Sequence, residues 1–130
     1  MNYINVLSSD EEQKILKQLE NRHDPEGERL KRFLAMPDLS RTPGSPIYEL
    51  AQRIINLPDF HDFDVMQVPE IVKADISFDL FDFPPEHPAR SKSDTYYVTD
   101  NDILRTHTTI MWYYYLMQDE IKEKIKKGLP

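Results

Sequence analysis

Ten prolines in 130 residues cut this chain into short elements, and their positions decide which elements are available. Proline lacks a backbone N–H and fixes φ, so a helix accepts it only in the first turn and a strand only at an edge or end. Asp24-Pro25 therefore reads as a cap and first residue of a helix, and Ser45-Pro46 as the same device repeated. Pro58 ends the second of these helices, Pro69 stops a strand, and Pro84, Pro85 and Pro88 stiffen a turn.

Apolar spacing fills in the segments between. Ser8 and Ser9, each followed three residues later by Glu11 or Glu12, form two overlapping capping-box patterns ahead of Ile15, Leu16 and Leu19. Leu30, Phe33 and Leu34 give the second helix a buried face. Ile47, Leu50, Ala51, Ile54 and Ile55 fall at i, i+3, i+4, i+7 and i+8, a helical period. Phe63–Val68 alternates as a strand does, and Thr95–Val98 is a second, shorter strand. From about Thr108 the apolar run IMWYYYLM and the charged DEIKEKIKK read as one helix ended by Gly128. The expected class is α+β, divided into a helical hairpin over 1–36, a linker over 37–45 and a larger unit over 46–130. The strands are too few to close a substantial sheet.

Several function classes fall away. Cysteine is absent, which removes disulfides and thiolate-metal sites and fits a reducing cytoplasm. The net charge of −7 leaves no general basic footprint for DNA or RNA. No run approaches the roughly 20 apolar residues of a membrane helix, and the N-terminus lacks the basic and apolar regions of a secretory signal.

Four clusters could carry chemistry. His61, Asp62 and Asp64 offer a His and two carboxylates, with a metal-dependent hydrolase as the sharp reading and a polar turn as the bland one. DLFDFPPEHP reads first as a connection whose Phe residues anchor it to the core. The aromatics Trp112 to Tyr115 could stack a base, but on a helix they diverge, which favours packing. Their basic continuation pairs Glu120 with Lys124 and Glu123 with Lys127 as a solvated face. The fourth cluster, His87, Arg90, Lys92 and Asp94 followed by Arg105, His107 and Thr109, contains groups able to hold a carboxylate and an ammonium. Arg105, His107 and Thr109 alternate, so on an extended segment they share a side. Taken singly, each is first a structural residue.

In order, the chain carries PEI (Pro69–Ile71), FD (Phe78–Asp79), HPAR (His87–Arg90), DTYY (Asp94–Tyr97) and LRTHT (Leu104–Thr108). This set resembles the phenylalanyl-tRNA synthetase alpha subunit or catalytic module over about residues 45 to 130. The resemblance implies a class II aminoacyl-tRNA synthetase, cytoplasmic, that activates phenylalanine with ATP and Mg2+ and transfers it to tRNA. It makes the helix from Ile47, the strand ending at Val68 and Pro69 the interface motif, facing a beta subunit or a second copy. It makes His107 and Thr109 the residues that bind phenylalanine, with Arg90, Asp94 and Arg105 in support. Ser93 stands where an aromatic is common in the family, and MWYYYL stands where glutamine and arginine are common. The two arginines that hold ATP in such enzymes are expected beyond Pro130, so this chain alone is expected to be inactive. The alternative expectation is a non-catalytic, synthetase-derived interaction module.

Overall fold

The computed structural model describes residues 2–6 and 10–129, and the capping pair Ser8 and Ser9 lies outside them. The first helices are α1 (Asp10–Glu20) and α2 (Pro25–Leu34). The Asp24 carboxylate accepts the Gly27 N–H at 3.0 Å, the capping bond its sequence predicts. Gly27 is buried in that turn, where a Cβ would come within 2.8 Å of the Arg22 Cβ. Helix α3 (Pro46–Ile55) starts on Ser45, whose Oγ accepts the Tyr48 N–H at 3.1 Å.

The core is built on two strands that sequence periodicity does not resolve, β3 (Ile71–Lys73) and β4 (Asp102–Leu104), paired antiparallel. Successive strand residues point to opposite faces, so this ribbon serves two packing layers. Ile71 joins Ile15, Leu19, Leu30 and Val98 beneath the α1–α2 hairpin, with Leu104 packed against them. Val72 and Ile103 join Phe78 and Ile110 on the other side. Arg22 ties the hairpin down further, donating to the Tyr97 and Val98 carbonyls at 3.1 Å each.

A second ribbon pairs β1 (Tyr3–Asn5) in parallel with β2 (Val65–Gln67). The sequence reading contains no β1, and β2 is shorter than the Phe63–Val68 expected. Thr95–Val98 is likewise not a strand. It makes a single antiparallel bridge, Tyr97 to Ile103, with the Val98 N–H on the Asp102 carbonyl at 2.8 Å and the Leu104 N–H on the Tyr96 carbonyl at 2.9 Å, while Arg22 takes the Tyr97 and Val98 carbonyls. Thr95 Oγ1 donates to the Ala89 carbonyl at 2.6 Å and the Tyr97 hydroxyl to the Arg90 carbonyl at 2.7 Å, folding the segment back on the HPAR turn.

The C-terminal run is two helices, α5 (Met111–Leu116) and α6 (Asp119–Lys126), where one was expected. Gln118 between them has ψ 131°, an extended residue. Its side chain donates back to the Tyr114 carbonyl at 2.9 Å and closes α5. Asp119 and Glu120 then occupy a first turn, where the partial positive charge of a helix N-terminus favours acids. Gly128 ends α6 as expected, at φ +63°, with Leu129 N–H bonding the Lys124 carbonyl. The ion pairs on α6 are Lys122–Asp119 and Lys126–Glu123, one residue closer than the expected i,i+4 pairs. The architecture is α+β, with a short helix α4 (Ala74–Ser77) leading from β3 into the candidate site.

Candidate functional site

Phe83 is the hub of the site. Phe78, in the loop after α4, is almost fully buried. A 3-10 turn over Asp79–Phe81 follows, and Asp82 at φ 58° takes the left-handed conformation that Asp tolerates better than most residues. The Phe83 N–H then returns to the Phe78 carbonyl at 3.0 Å. The Phe83 ring meets Phe78 edge-on at 5.8 Å and His87 at 4.6 Å, and lies parallel to His107 within 10° at 6.3 Å. The Phe residues of DLFDFPPEHP thus anchor that segment, as their composition favours.

HPAR folds as a 3-10 turn over Pro88–Arg90, capped by His87 Nδ1 accepting the Ala89 N–H at 3.1 Å. Arg90 reaches back across it. Nη1 donates to the Asp79 carboxylate at 2.5 Å and to the Phe83 carbonyl at 2.9 Å, and Cζ sits 5.3 Å from the centre of the Phe78 ring. Asp94, expected near Arg90, is exposed and accepts from the Ser93 hydroxyl at 3.1 Å. Lys92 is exposed beside Asp100 at 3.9 Å.

Strand β4 ends at Leu104, and the side chains of the three polar residues beyond it make different contacts. The Arg105 guanidinium donates to the carbonyls of Val68 at 3.0 Å and Pro69 at 3.2 Å, while its own N–H reaches the Glu70 carbonyl at 2.8 Å. It holds the half-buried Pro69 segment rather than facing His107. His107 turns inward, with Nε2 3.1 Å from the Ser77 carbonyl and Phe81 edge-on at 5.9 Å. A carbonyl only accepts, so Nε2 carries a proton, and in the neutral form of the ring the lone pair is on Nδ1. That Nδ1 is shielded from solvent and has no hydrogen-bond partner among the described residues. Thr109 lies on a 3-10 turn over Thr108–Ile110 and is exposed.

The HDFD segment splits in two. His61 Nδ1 and Asp62 sit 2.8 Å apart in solvent, while Asp64 accepts the Tyr115 hydroxyl at 2.9 Å and the Asn2 N–H at 3.3 Å. Burial works against the Asp64 charge, but those two donors outweigh it and hold the carboxyl below its ordinary value. Burial and the bond to Asp64 push the Tyr115 phenol up. Among the described residues no group of three or more His, Asp or Glu could hold a metal ion.

The aromatic run diverges as helical geometry requires. Tyr114 packs toward the core. Trp112 is 60% exposed and lines, with Phe63, Met66, Met111 and Tyr115, an open hollow of about 410 Å³. No described helix is long and apolar enough to cross a membrane.

Missing from the sequence reading are the partners that fix His107, namely Ser77, Phe81 and Phe83, and the carboxylate of Asp79 that holds Arg90. The FD pair at Phe78–Asp79 and the Phe residues of DLFDFPPEHP are their sequence signals.

Residues 34–127 match the family model described as tRNA synthetases class II core domain (F), and the chain belongs to that family. Within it, the chain is 40% identical over 65 residues to the phenylalanine–tRNA ligase alpha subunit of Persephonella marina, covering 50% of this chain and 18% of that protein. It is 39% identical over 71 residues to the same subunit of Desulfosudis oleivorans, covering 55% and 21%. With that of Coxiella burnetii it shares 32% over 85 residues, covering 65% and 24%. The chain thus spans about a fifth to a quarter of the length of these relatives. No solved structure matches it.

Proposed function

We propose that this chain is part of a cytoplasmic phenylalanine–tRNA ligase and carries the wall of the site that recognises phenylalanine. The family membership of residues 34–127, with relatives that are phenylalanine–tRNA ligase alpha subunits, carries this reading. In that enzyme the phenylalanine carboxylate attacks the α-phosphate of ATP. An acyl-adenylate forms, pyrophosphate leaves, and the acyl group passes to tRNA.

His107 and Thr109 bind the amino acid, each through its own kind of group. The orphaned Nδ1 of His107 is an acceptor, so it suits a hydrogen from the α-ammonium of phenylalanine. A buried polar atom without a partner costs about 1–3 kcal/mol, and a ligand donor recovers it. Reaching Nδ1 requires a neighbouring side chain to move, because solvent does not touch that atom. The exposed Thr109 hydroxyl is free to donate to the carboxylate. In the division into 1–36, 37–45 and 46–130, the α1–α2 hairpin packs on the last unit and β1 pairs with β2 of that unit, with 37–45 as connector. The enzyme containing this chain should exchange pyrophosphate into ATP only when phenylalanine is present. A strong preference for another amino acid overturns the assignment. The 130 residues by themselves should show no exchange.

One observation favours a second role. Three residues of the α3 apolar stripe are exposed, with Leu50 58% exposed, Ile47 52% and Ile54 44%, and Pro69 follows in the same motif. That face contacts a beta subunit or a second copy of this chain. Light scattering that finds only monomers, alone and with the beta subunit, overturns it.

A further inference from the structure

The arrangement around His107 assigns a task to Arg90. The groups that meet the His107 ring, the Ser77 carbonyl, the edge of Phe81 and the face of Phe83, lie on one loop. That loop has little regular structure of its own beyond one 3-10 turn and the left-handed Asp82. Arg90 clamps it at both ends, through Asp79 and through the Phe83 carbonyl, with the guanidinium laid over Phe78 between them. Arg90 is itself anchored, because the Tyr97 hydroxyl holds its carbonyl.

We infer that Arg90 is a positioning residue that fixes the orientation and tautomer of His107 through the Ser77–Phe83 loop, rather than a group that grips substrate. Its guanidinium already has a carboxylate partner in Asp79, and the two hydrogens of one nitrogen, Nη1, serve that carboxylate and the Phe83 carbonyl together while Cζ stays over Phe78. When the clamp loosens, the Phe83 face and the Ser77 carbonyl shift together, and the proton is no longer confined to Nε2. The acceptor on Nδ1 then loses its fixed direction. The inference rests on the phenylalanine-site reading for its kinetic consequence but not for its structural one.

The test uses the complete enzyme that contains this chain, with histidines labelled by nitrogen-15. In the wild type, His107 should show the Nε2–H tautomer. Arg90→Met should give mixed tautomers and lower kcat/KM for phenylalanine about 10²-fold, the scale of a 1 Å misplacement, with KM for ATP unchanged. Arg90→Lys should recover part of this loss, since an ammonium can donate to both acceptors but has no planar guanidinium to lie over Phe78. If Arg90→Met does not fold, Asp79→Ala becomes the test. It removes only an exposed carboxylate and should move the same two readouts in the same direction by less. An unchanged His107 tautomer in the folded variant overturns the proposal, and so do KM values for phenylalanine and ATP that rise together. A wild type without phenylalanine-dependent exchange instead removes the functional reading, and the tautomer measurement still decides the role of Arg90.

Discussion

Helices α2 and α3 are built to the same local plan and have opposite fates. Each has ten residues, an oxygen-bearing cap bonded to a first-turn N–H, a proline at the start and an apolar stripe. Helix α2 buries Leu30 completely and Gly27 against Arg22, while α3 has no buried residue at all. Amphipathic patterning therefore states that a face needs cover without stating what provides it. For α2 the cover lies within the chain, in Ile71 and Val98. For α3 the described residues cover Ala51 and Ile55 only in part and leave Ile47, Leu50 and Ile54 exposed.

Substitutions can break this contrast. The largest effect is expected for Leu30→Ala, about 2–5 kcal/mol of stability in urea unfolding, as for a filled core position. Gly27→Ala should cost about 1–3 kcal/mol by overpacking, since its Cβ would meet Arg22, the residue that ties the hairpin to Tyr97 and Val98. Ser45→Ala should cost about 1 kcal/mol, the value of a lost cap, which would show that α3 is held by local bonds. Asp24→Asn keeps the cap but loses the ion pair with Arg22, so its melting temperature should fall by less. The Arg22 hydrogen bond holds the Asp24 carboxyl well below the usual carboxylate range. A depressed folded value stabilises above the unfolded pKa of about 4. That stabilisation is lost as pH falls further, so the Asp24→Asn deficit should be full at pH 7 and shrink in melts taken progressively below pH 4. Smallest of all, Leu50→Ala should stay within about 0.5 kcal/mol of wild type. A loss near that of Leu30→Ala would show that α3 has a covered face after all and end the comparison.

Local devices were legible in the sequence because their physics is local. The Asp24-Pro25 and Ser45-Pro46 starts and the Gly128 end each depend on bonds spanning a few residues. Strands β1, β3 and β4 were not legible, because three residues such as Tyr3–Asn5 or Asp102–Leu104 carry no periodicity and become strands only through distant partners. The break at Gln118 was hidden inside a continuous apolar and charged pattern. In the site, residue types pointed to His107 and Arg90, but not to what holds them. Arg90 finds Asp79 across 11 residues and His107 finds Ser77 across 30, distances that motif spacing does not encode.

The parallel pairing of β1 with β2 has a consequence for the order of assembly. Its partners stand 62 residues apart, and drawing together the ends of so long a segment from an unfolded chain costs about 3–4 kcal/mol of entropy. A three-residue ribbon returns only a few hydrogen bonds, each worth about 0.5–1.5 kcal/mol net. β1 therefore cannot recruit β2 early. It joins after the hairpin and the β3–β4 ribbon have already brought position 65 close, which makes the N-terminal strand a clasp that closes last and opens first.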